Sequence, residues 1–120
     1  NIHISDMVRS YLCVLNADDQ KIKNQIFNVG FENYSVEKLA LMVQKNIKDK
    51  VELQYSKSDD NRSYHINSEK ISRLLDFTPQ KNINEAIKDL INVFDKKLLS
   101  NTLSNQEYFN IKKMQSINLT

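Results

Sequence analysis

Apolar side chains that recur every three or four residues predict two amphipathic helices in the first half of the chain. The first helix follows a short polar–apolar alternation at residues 1–4, and Ser5 is its predicted N-cap. Its apolar stripe consists of Met7, Val8, Tyr11, Leu12 and Leu15. Residues 16–23 are polar and predict a loop. The second helix has Ser35 as its predicted N-cap. Its stripe consists of Val36, Leu39, Ala40, Val43 and Ile47.

Two short segments have the pattern of β-strands. Residues 25–29 form a compact run that ends at Gly30, the only glycine of the chain. Residues 51–55 alternate strictly between apolar and polar side chains, which is typical of a half-buried strand. Together with short extended pieces at residues 1–4 and 63–66, the order of elements predicts an α/β fold that is rich in helices and has few short strands.

A charged loop and two further helices are predicted between residues 59 and 94. Asn67 can cap a helix that Pro79 prevents from continuing. The apolar face of this helix consists of Ile71, Leu74 and Leu75. Asn82 begins the next helix, with Glu85 three residues later, as in a capping box. The stripe of that helix consists of Ile83, Ala86, Ile87, Leu90, Ile91 and Phe94. It is predicted to continue to Leu98 or Leu99, and residues 106–119 form a weaker helical pattern.

Length and composition limit the classes of function. The 120 residues fit one small domain, residues 1–120, and the chain begins with Asn1 rather than Met, which suggests a fragment or a processed chain. The net charge of +2 arises from mixed charges, so a nucleic-acid partner is disfavoured. No apolar run is long enough for a membrane span, and no signal peptide is present. The single cysteine, Cys13, excludes an internal disulfide and favours a reducing, cytoplasmic setting.

Candidate catalytic groups are few. Two Tyr-x-x-x-Lys patterns, Tyr34 with Lys38 and Tyr108 with Lys112, match the spacing in which an ammonium group lowers the pKa of a phenol. About one such match is expected by chance in a lysine-rich chain. We therefore predict no catalytic residue in this chain. A lone glycine excludes a Gly-x-Gly-x-x-Gly loop, so the chain by itself is not expected to bind NAD.

Metal sites and the remaining nucleophile are also disfavoured. The two histidines lie far apart in sequence and show no metal-ligand spacing with other residues. His3 is expected to orient a backbone group or a carboxylate, and Cys13 is expected to be a small, buried or half-buried residue. No metal or other cofactor is therefore predicted for this chain.

Arg62 is the candidate binding residue that stands out. It lies in a charged loop, in a chain whose basic residues are mostly lysines. Its planar guanidinium can bind a phosphate or a carboxylate through two parallel hydrogen bonds. An ordinary surface ion pair with Asp59 or Asp60 explains the same residue equally well.

Several short motifs, in order, resemble one known family. Residues 2–11 are similar to its His-Val-x-Asp-x-Ala-Arg-Ala segment, and residues 27–30, Phe-Asn-Val-Gly, to its strand of that sequence. Residues 60–64 have its acidic-x-Arg-x-Tyr order, and residues 75–79 its Leu-x-Phe-x-Pro helix end. The chain thus resembles the C-terminal, substrate-binding portion of the extended short-chain dehydrogenase/reductases, and within them the NAD-dependent nucleotide-sugar epimerases and dehydratases.

The resemblance implies roles for three residues. It implies that Arg62 binds the diphosphate of a nucleotide sugar, with Asp60 orienting the arginine and Tyr64 nearby. It also implies an intact enzyme that uses NAD, carried by an N-terminal Rossmann domain that this chain lacks. One departure concerns Asp76, where the family usually has a glycine. That position often requires a left-handed backbone, which aspartate tolerates at some cost.

Two hypotheses of function follow. The chain is either the substrate-binding part of such an epimerase or dehydratase, or a small non-catalytic binding or interaction module. Because the faces around residues 25–29 would pack against the absent Rossmann domain, we also expect exposed apolar surface. The expected consequence is either self-association into a homo-oligomer or a helix-rich structure that is rearranged from the parent.

Overall fold

The computed structural model describes residues 1–47, 50–57 and 64–117. The helices in these ranges are α1 (Ile4–Leu15), α2 (Asp19–Ile22), α3 (Val36–Asn46), α4 (Glu69–Leu75), α5 (Ile83–Asp95) and α6 (Asn110–Ser116). A 3₁₀ turn, Gln106–Tyr108, precedes α6. The chain divides into two compact units: unit 1 is Asn1–Lys88 and unit 2 is Asp89–Thr120.

The prediction of an α/β fold is wrong for the part of the chain that the structure describes. These residues contain helices, turns and irregular segments but no β-strand. The two predicted strands, residues 25–29 and 51–55, are irregular. The shorter extended pieces are also irregular where they are described outside a helix, at residues 1–3 and 64–66.

Side chains of other elements bind one backbone carbonyl in each of the two predicted strands. A strand needs a second backbone to pair with its N–H and C=O groups. Here Lys70 Nζ donates to the carbonyl oxygen of Ile26 at 2.8 Å, and Gln44 Nε2 donates to the carbonyl oxygen of Val51 at 2.7 Å. The apolar–polar alternation therefore predicted extended backbone, but it could not show that side chains on α4 and α3 would take the hydrogen bonds.

Helix α1 begins two residues earlier than predicted. Its N-cap is His3, and the backbone N–H of Ser5 donates to His3 Nδ1 at 3.1 Å. The prediction of Ser5 as the cap is therefore wrong, because an imidazole nitrogen supplies the acceptor. The expectation that His3 orients a backbone group is confirmed.

The two faces of α1 have an unusual distribution of polarity. The face that packs into unit 1 carries Asp6 and Ser10, which are both buried. The opposite face is exposed to solvent and carries a group of apolar side chains. We call this group the outward stripe, and it consists of Ile4, Val8, Tyr11, Leu12 and Leu15.

The caps of α2 and α3 are set by local side chains. Asp18 accepts a hydrogen bond from the N–H of Gln20 at 2.8 Å, so the predicted loop at residues 16–23 contains a helical turn. Ser35 caps α3 as predicted, since its Oγ accepts from the N–H of Lys38 at 3.2 Å.

The segment from α4 to α5 follows most of the predicted rules. The N-cap of α4 is Ser68 and not the predicted Asn67, although Asn67 Oδ1 accepts from the N–H of Glu69 at 2.8 Å. Helix α4 ends at Asp76, which is left-handed with φ 54° and ψ 32°, so the predicted conformation of this residue is confirmed. The capping box of α5 is also confirmed: the N–H of Glu85 donates to Asn82 Oδ1 at 3.1 Å, and the N–H of Asn82 donates to Glu85 Oε2 at 2.8 Å.

In unit 2, α5 ends at Asp95 rather than at the predicted Leu98 or Leu99. Lys97 is left-handed with φ 53°. Its N–H donates to the carbonyl oxygen of Phe94, and the N–H of Leu98 donates to that of Val93. This is a Schellman motif, which ends a helix even without a glycine. The weak pattern at residues 106–119 corresponds to the 3₁₀ turn and α6.

The core of unit 1 lies around the α4–α5 turn. Its buried apolar residues are Ile71 of α4, Phe77 of the turn and Ile87 of α5. The guanidinium carbon of Arg9 lies 5.5 Å from the centre of the Phe77 ring. None of the helices in the described ranges is both long and apolar enough to cross a membrane.

Candidate functional site

The structure places one of the three predicted binding residues. Arg62 and Asp60 lie outside the described residues. Tyr64 is 71% exposed and borders an open cavity of about 570 Å³ in unit 1. The cavity is lined by Asn1, Asn33, Tyr34, Ser35, Val36, Tyr64, His65 and Ile66. We take this cavity, called the Tyr64 cavity below, as the candidate functional site.

One side of the Tyr64 cavity is fixed by an asparagine. Asn33 Nδ2 donates to the carbonyl oxygen of Ile66 at 3.1 Å, and the N–H of Ile66 donates to Asn33 Oδ1 at 3.1 Å. The side-chain amide thus pairs with both backbone polar groups of one residue, as a neighbouring strand would. This contact holds the segment that carries Tyr64 against the loop after residue 30.

Gly30 brings the same two segments close together. Its N–H donates to Ser68 Oγ at 2.8 Å. A Cβ atom built on Gly30 would lie 3.2 Å from Cγ2 of Ile66 and 3.4 Å from its Cβ. A side chain at this position would therefore press on Ile66, which would have to shift by a few tenths of an ångström. Gly30 has no positive φ, so close approach and not backbone conformation favours glycine here.

Glu32 connects the cavity loop to the start of α5. Its Oε1 accepts from the hydroxyl of Tyr34 at 2.8 Å, and its Oε2 accepts from the N–H of Ile83 at 2.8 Å. The first residues of a helix leave N–H groups without internal partners and favour negative charge. Its backbone carbonyl also accepts from the terminal amine of Asn1 at 2.8 Å. The loop that lines the cavity is thus held at both ends.

The hydrogen bond from Tyr34 to Glu32 argues against a catalytic role for Tyr34. It raises the pKa of the Tyr34 phenol, with smaller contributions from burial and from the negative charge of Glu32. Catalysis by a Tyr–Lys pair requires a lowered pKa. Lys38 Nζ lies over the ring of Tyr34, 4.3 Å from its centre, so the ammonium packs on the ring face. As expected, Tyr34 also lies outside the helix that Ser35 caps.

The second Tyr–Lys pattern, in unit 2, is also arranged differently from a catalytic pair. Tyr108 belongs to the 3₁₀ turn and Lys112 to α6, so the two residues do not share one helix. Lys112 Nζ lies 4.6 Å from the ring centre of Phe109. The ammonium thus packs on a different aromatic ring.

A buried carboxylate holds the α4–α5 turn in unit 1. Asp6 Oδ2 accepts from the backbone N–H groups of Gln80 at 3.0 Å and Lys81 at 2.8 Å. Its other oxygen accepts from Arg9 Nη1. Arg9 Nη2 also donates to the carbonyl oxygen of Thr78 at 3.5 Å. Asp6 and Arg9 together therefore bind the backbone of the turn at three positions, Thr78, Gln80 and Lys81.

The protonation state of Asp6 reflects opposing effects. Burial disfavours the charged form and raises the pKa of the Asp6 carboxyl. The hydrogen bonds from Lys81, Gln80 and Arg9, with the charge of Arg9, outweigh burial and hold that pKa below its usual value. Asp6 is thus an ionised structural anchor at neutral pH.

Cys13 and the metal-ligating residue types offer no second reactive site. Cys13 is half-buried, as expected, and its Sγ lies 3.5 Å from the carbonyl oxygen of Leu75. Across the described ranges, no group of three His, Cys, Asp or Glu side chains is placed to hold a metal ion.

The residues that line the Tyr64 cavity are mostly neutral: amides, a hydroxyl, two phenols and apolar side chains, with His65 the sole imidazole among them. Aromatic rings can stack on a planar, polar ligand. This lining is therefore suited to binding such a ligand.

Comparisons with known proteins give no assignment. No protein-family model matches the chain, and no curated protein or solved structure matches it.

Sequence reasoning missed two structural residues of the site region. Asn33 follows the only glycine by three residues, and its position predicts a loop but not the pairing with Ile66, although asparagine readily pairs with backbone groups. Asp6 has the position of a favourable charge in the first helical turn, which does not predict its contacts with Gln80 and Lys81. The signal that could have identified it is its spacing of three residues from Arg9 within a stretch that carries no other charge.

Proposed function

We propose that this chain is the C-terminal, substrate-binding part of a cytoplasmic, NAD-dependent nucleotide-sugar epimerase or dehydratase. In the intact enzyme an N-terminal Rossmann domain carries NAD and the reacting groups. The parent oxidises a sugar hydroxyl, then epimerises or dehydrates the sugar, and returns the hydride. This chain contributes binding of the nucleotide diphosphate through Arg62, Asp60 and Tyr64, and it performs no chemical step.

The Tyr64 cavity is the observation that supports this proposal best. Tyr64 borders an open, mostly neutral cavity, and Arg62 precedes it by two residues in the sequence. A neutral aromatic cavity is suited to a nucleoside, and an arginine is suited to a diphosphate. The left-handed Asp76 adds support, since it adopts the conformation that the glycine of the resembled family would favour.

Calorimetric titration with a panel of nucleotide diphosphate sugars tests the proposal. At least one member should bind, and Arg62→Ala should weaken binding by roughly 10- to 100-fold, as expected for the loss of charged hydrogen bonds. Arg73→Ala is the matched control, because Arg73 is an exposed arginine of α4 that does not line the Tyr64 cavity. Its affinity should equal that of the wild type.

Two outcomes would count against the proposal. Equal losses of affinity in Arg62→Ala and Arg73→Ala would show that Arg62 has no specific role in binding. If no member of the panel binds to the folded chain, the binding function proposed for this chain is wrong.

A non-catalytic interaction module is the second candidate, and the outward stripe of α1 favours it. Exposed apolar faces of this kind mark interaction surfaces. An upstream coding sequence with a glycine-rich loop would favour the enzyme part over the module.

A further inference from the structure

We propose that two copies of this chain associate through α1, as an antiparallel pair of helices related by a twofold axis. This inference goes beyond the proposed binding function and does not depend on it. The observation that prompts it is the outward stripe, whose five large side chains are between 52% and 77% exposed. A helix that exposes its apolar side normally packs that side against another element.

The outward stripe can be covered without burying an unpaired charge. Asp6 and Arg9 are the only charged residues of α1. Asp6 is fully buried in unit 1, and Arg9 is paired with it. Burial of an uncompensated charge is the main penalty that opposes apolar association, and α1 does not impose it on a partner.

The spacing of the stripe favours a second copy as the partner. Ile4, Val8, Tyr11 and Leu15 follow one another at steps of four, three and four residues. Alternating steps of three and four are those of a coiled-coil seam. The series reads the same in both directions, so an antiparallel copy places Ile4 opposite Leu15 and Val8 opposite Tyr11. Such self-complementarity is what a twofold-symmetric interface requires.

The size of the surface fits a weak dimer. Five half-exposed or more exposed large side chains offer on the order of 600 Å² per copy, somewhat less than the ~800 Å² per partner of a standard interface. We therefore expect association that depends on concentration, with monomer and dimer exchanging.

Sedimentation equilibrium of the 120-residue chain over a wide concentration range tests this proposal with two double variants. In Val8→Lys with Tyr11→Lys, an antiparallel pair would place lysines opposite lysines, and the dissociation constant should rise roughly tenfold or more. In Val8→Lys with Tyr11→Glu, each lysine would face a glutamate of the other copy. This variant should dimerise more tightly than the lysine–lysine variant. A parallel pair of helices would instead place like charges opposite each other in both variants.

A matched pair of single variants separates the stripe from general surface charge. The first variant is Leu12→Lys, at a residue of the outward stripe that is 53% exposed. The second is Leu41→Lys, at a residue of α3 that is 47% exposed. Only Leu12→Lys should weaken the dimer. Circular dichroism should show helix content equal to the wild type in all variants.

The proposal is overturned by any of three results. These are a monomer at every concentration, equal dissociation constants for the wild type and the lysine–lysine variant, or no difference between the two double variants. A monomer at every concentration would indicate that a different protein covers the outward stripe.

Discussion

The two faces of α1 differ in what they contact and in how they contribute to structure. The fully buried side chains of the inward face are polar: Asp6 binds the backbone of the α4–α5 turn, and the Ser10 hydroxyl donates to the carbonyl oxygen of Met7 at 2.7 Å. The half-buried Met7, Cys13 and Val14 lie beside them. The outward stripe is apolar and exposed. Most surface helices have the reverse arrangement. The difference shows that hydrophobic periodicity identifies a face that needs covering, while hydrogen-bonded polar groups can supply the contact with the fold.

Removal of the Asp6 carboxylate should have the largest effect on stability. Asp6→Ala leaves the N–H groups of Gln80 and Lys81 and the guanidinium of Arg9 without their acceptor. Loss of one partner from a buried, charged network costs about 3 kcal/mol of unfolding free energy. Urea unfolding at low protein concentration measures this cost.

The control lies on the other face of the same helix. Leu15→Ala removes a larger apolar group, but Leu15 is 77% exposed, so the cost should be below about 0.5 kcal/mol. Equal costs for the two substitutions would contradict the division of α1 into a structural inward face and a free outward face.

Acid should weaken the inward face specifically. The pKa of Asp6 is lowered in the folded chain, so its stabilising contribution is complete above the unfolded value, about 3.9. That contribution is lost as the pH falls through the folded pKa. The wild type should therefore lose unfolding free energy below about pH 4. The unfolding free energy of Asp6→Asn should depend less on pH over this range. Urea midpoints of the wild type and the variant, measured from pH 3 to pH 7, test this expectation. Parallel pH profiles would contradict the assignment of the acid sensitivity to Asp6.

Part of the capping could be predicted from the sequence because it depends on neighbouring residues. The Ser35 cap and the Asn82–Glu85 box follow from residue types within three positions, whereas Ser5 and Asn67 are not the N-caps of α1 and α4. The left-handed conformation of Asp76 was expected from the family resemblance. The predicted stripe of α1 shares Val8, Tyr11, Leu12 and Leu15 with the outward stripe, but the sequence could not show which way it faces. That orientation depends on the turn at residues 78–81, which is distant in sequence.

The missed features depend on contacts between distant segments. Residues 25–29 and 51–55 have strand-like patterns, yet side chains on other elements bind their backbone carbonyls. The pairing of Asn33 with Ile66 joins residues 33 positions apart. Of the predicted site, Tyr64 borders a cavity, and the roles of Arg62, Asp60 and Tyr64 in binding remain predictions.

Among the substitutions at structural positions, the smaller expected effect concerns Asp76, which begins the segment that the inward face of α1 holds. Asp76 is left-handed with φ 54°, a conformation in which a Cβ atom is strained. Asp76→Gly removes that strain but gives the unfolded chain more freedom, so unfolding free energy should rise by only about 0.5 kcal/mol. Asp76→Ala keeps the Cβ atom, and alanine tolerates the left-handed region less well than aspartate does, so it should cost about 0.5–1 kcal/mol. Urea midpoints should therefore rank Gly above Asp and Asp above Ala. Equal urea midpoints for Asp76→Ala and Asp76→Gly would show that the left-handed backbone does not determine the stability at this position. The contacts of Asp6 and Arg9 with the turn would then have to set its conformation.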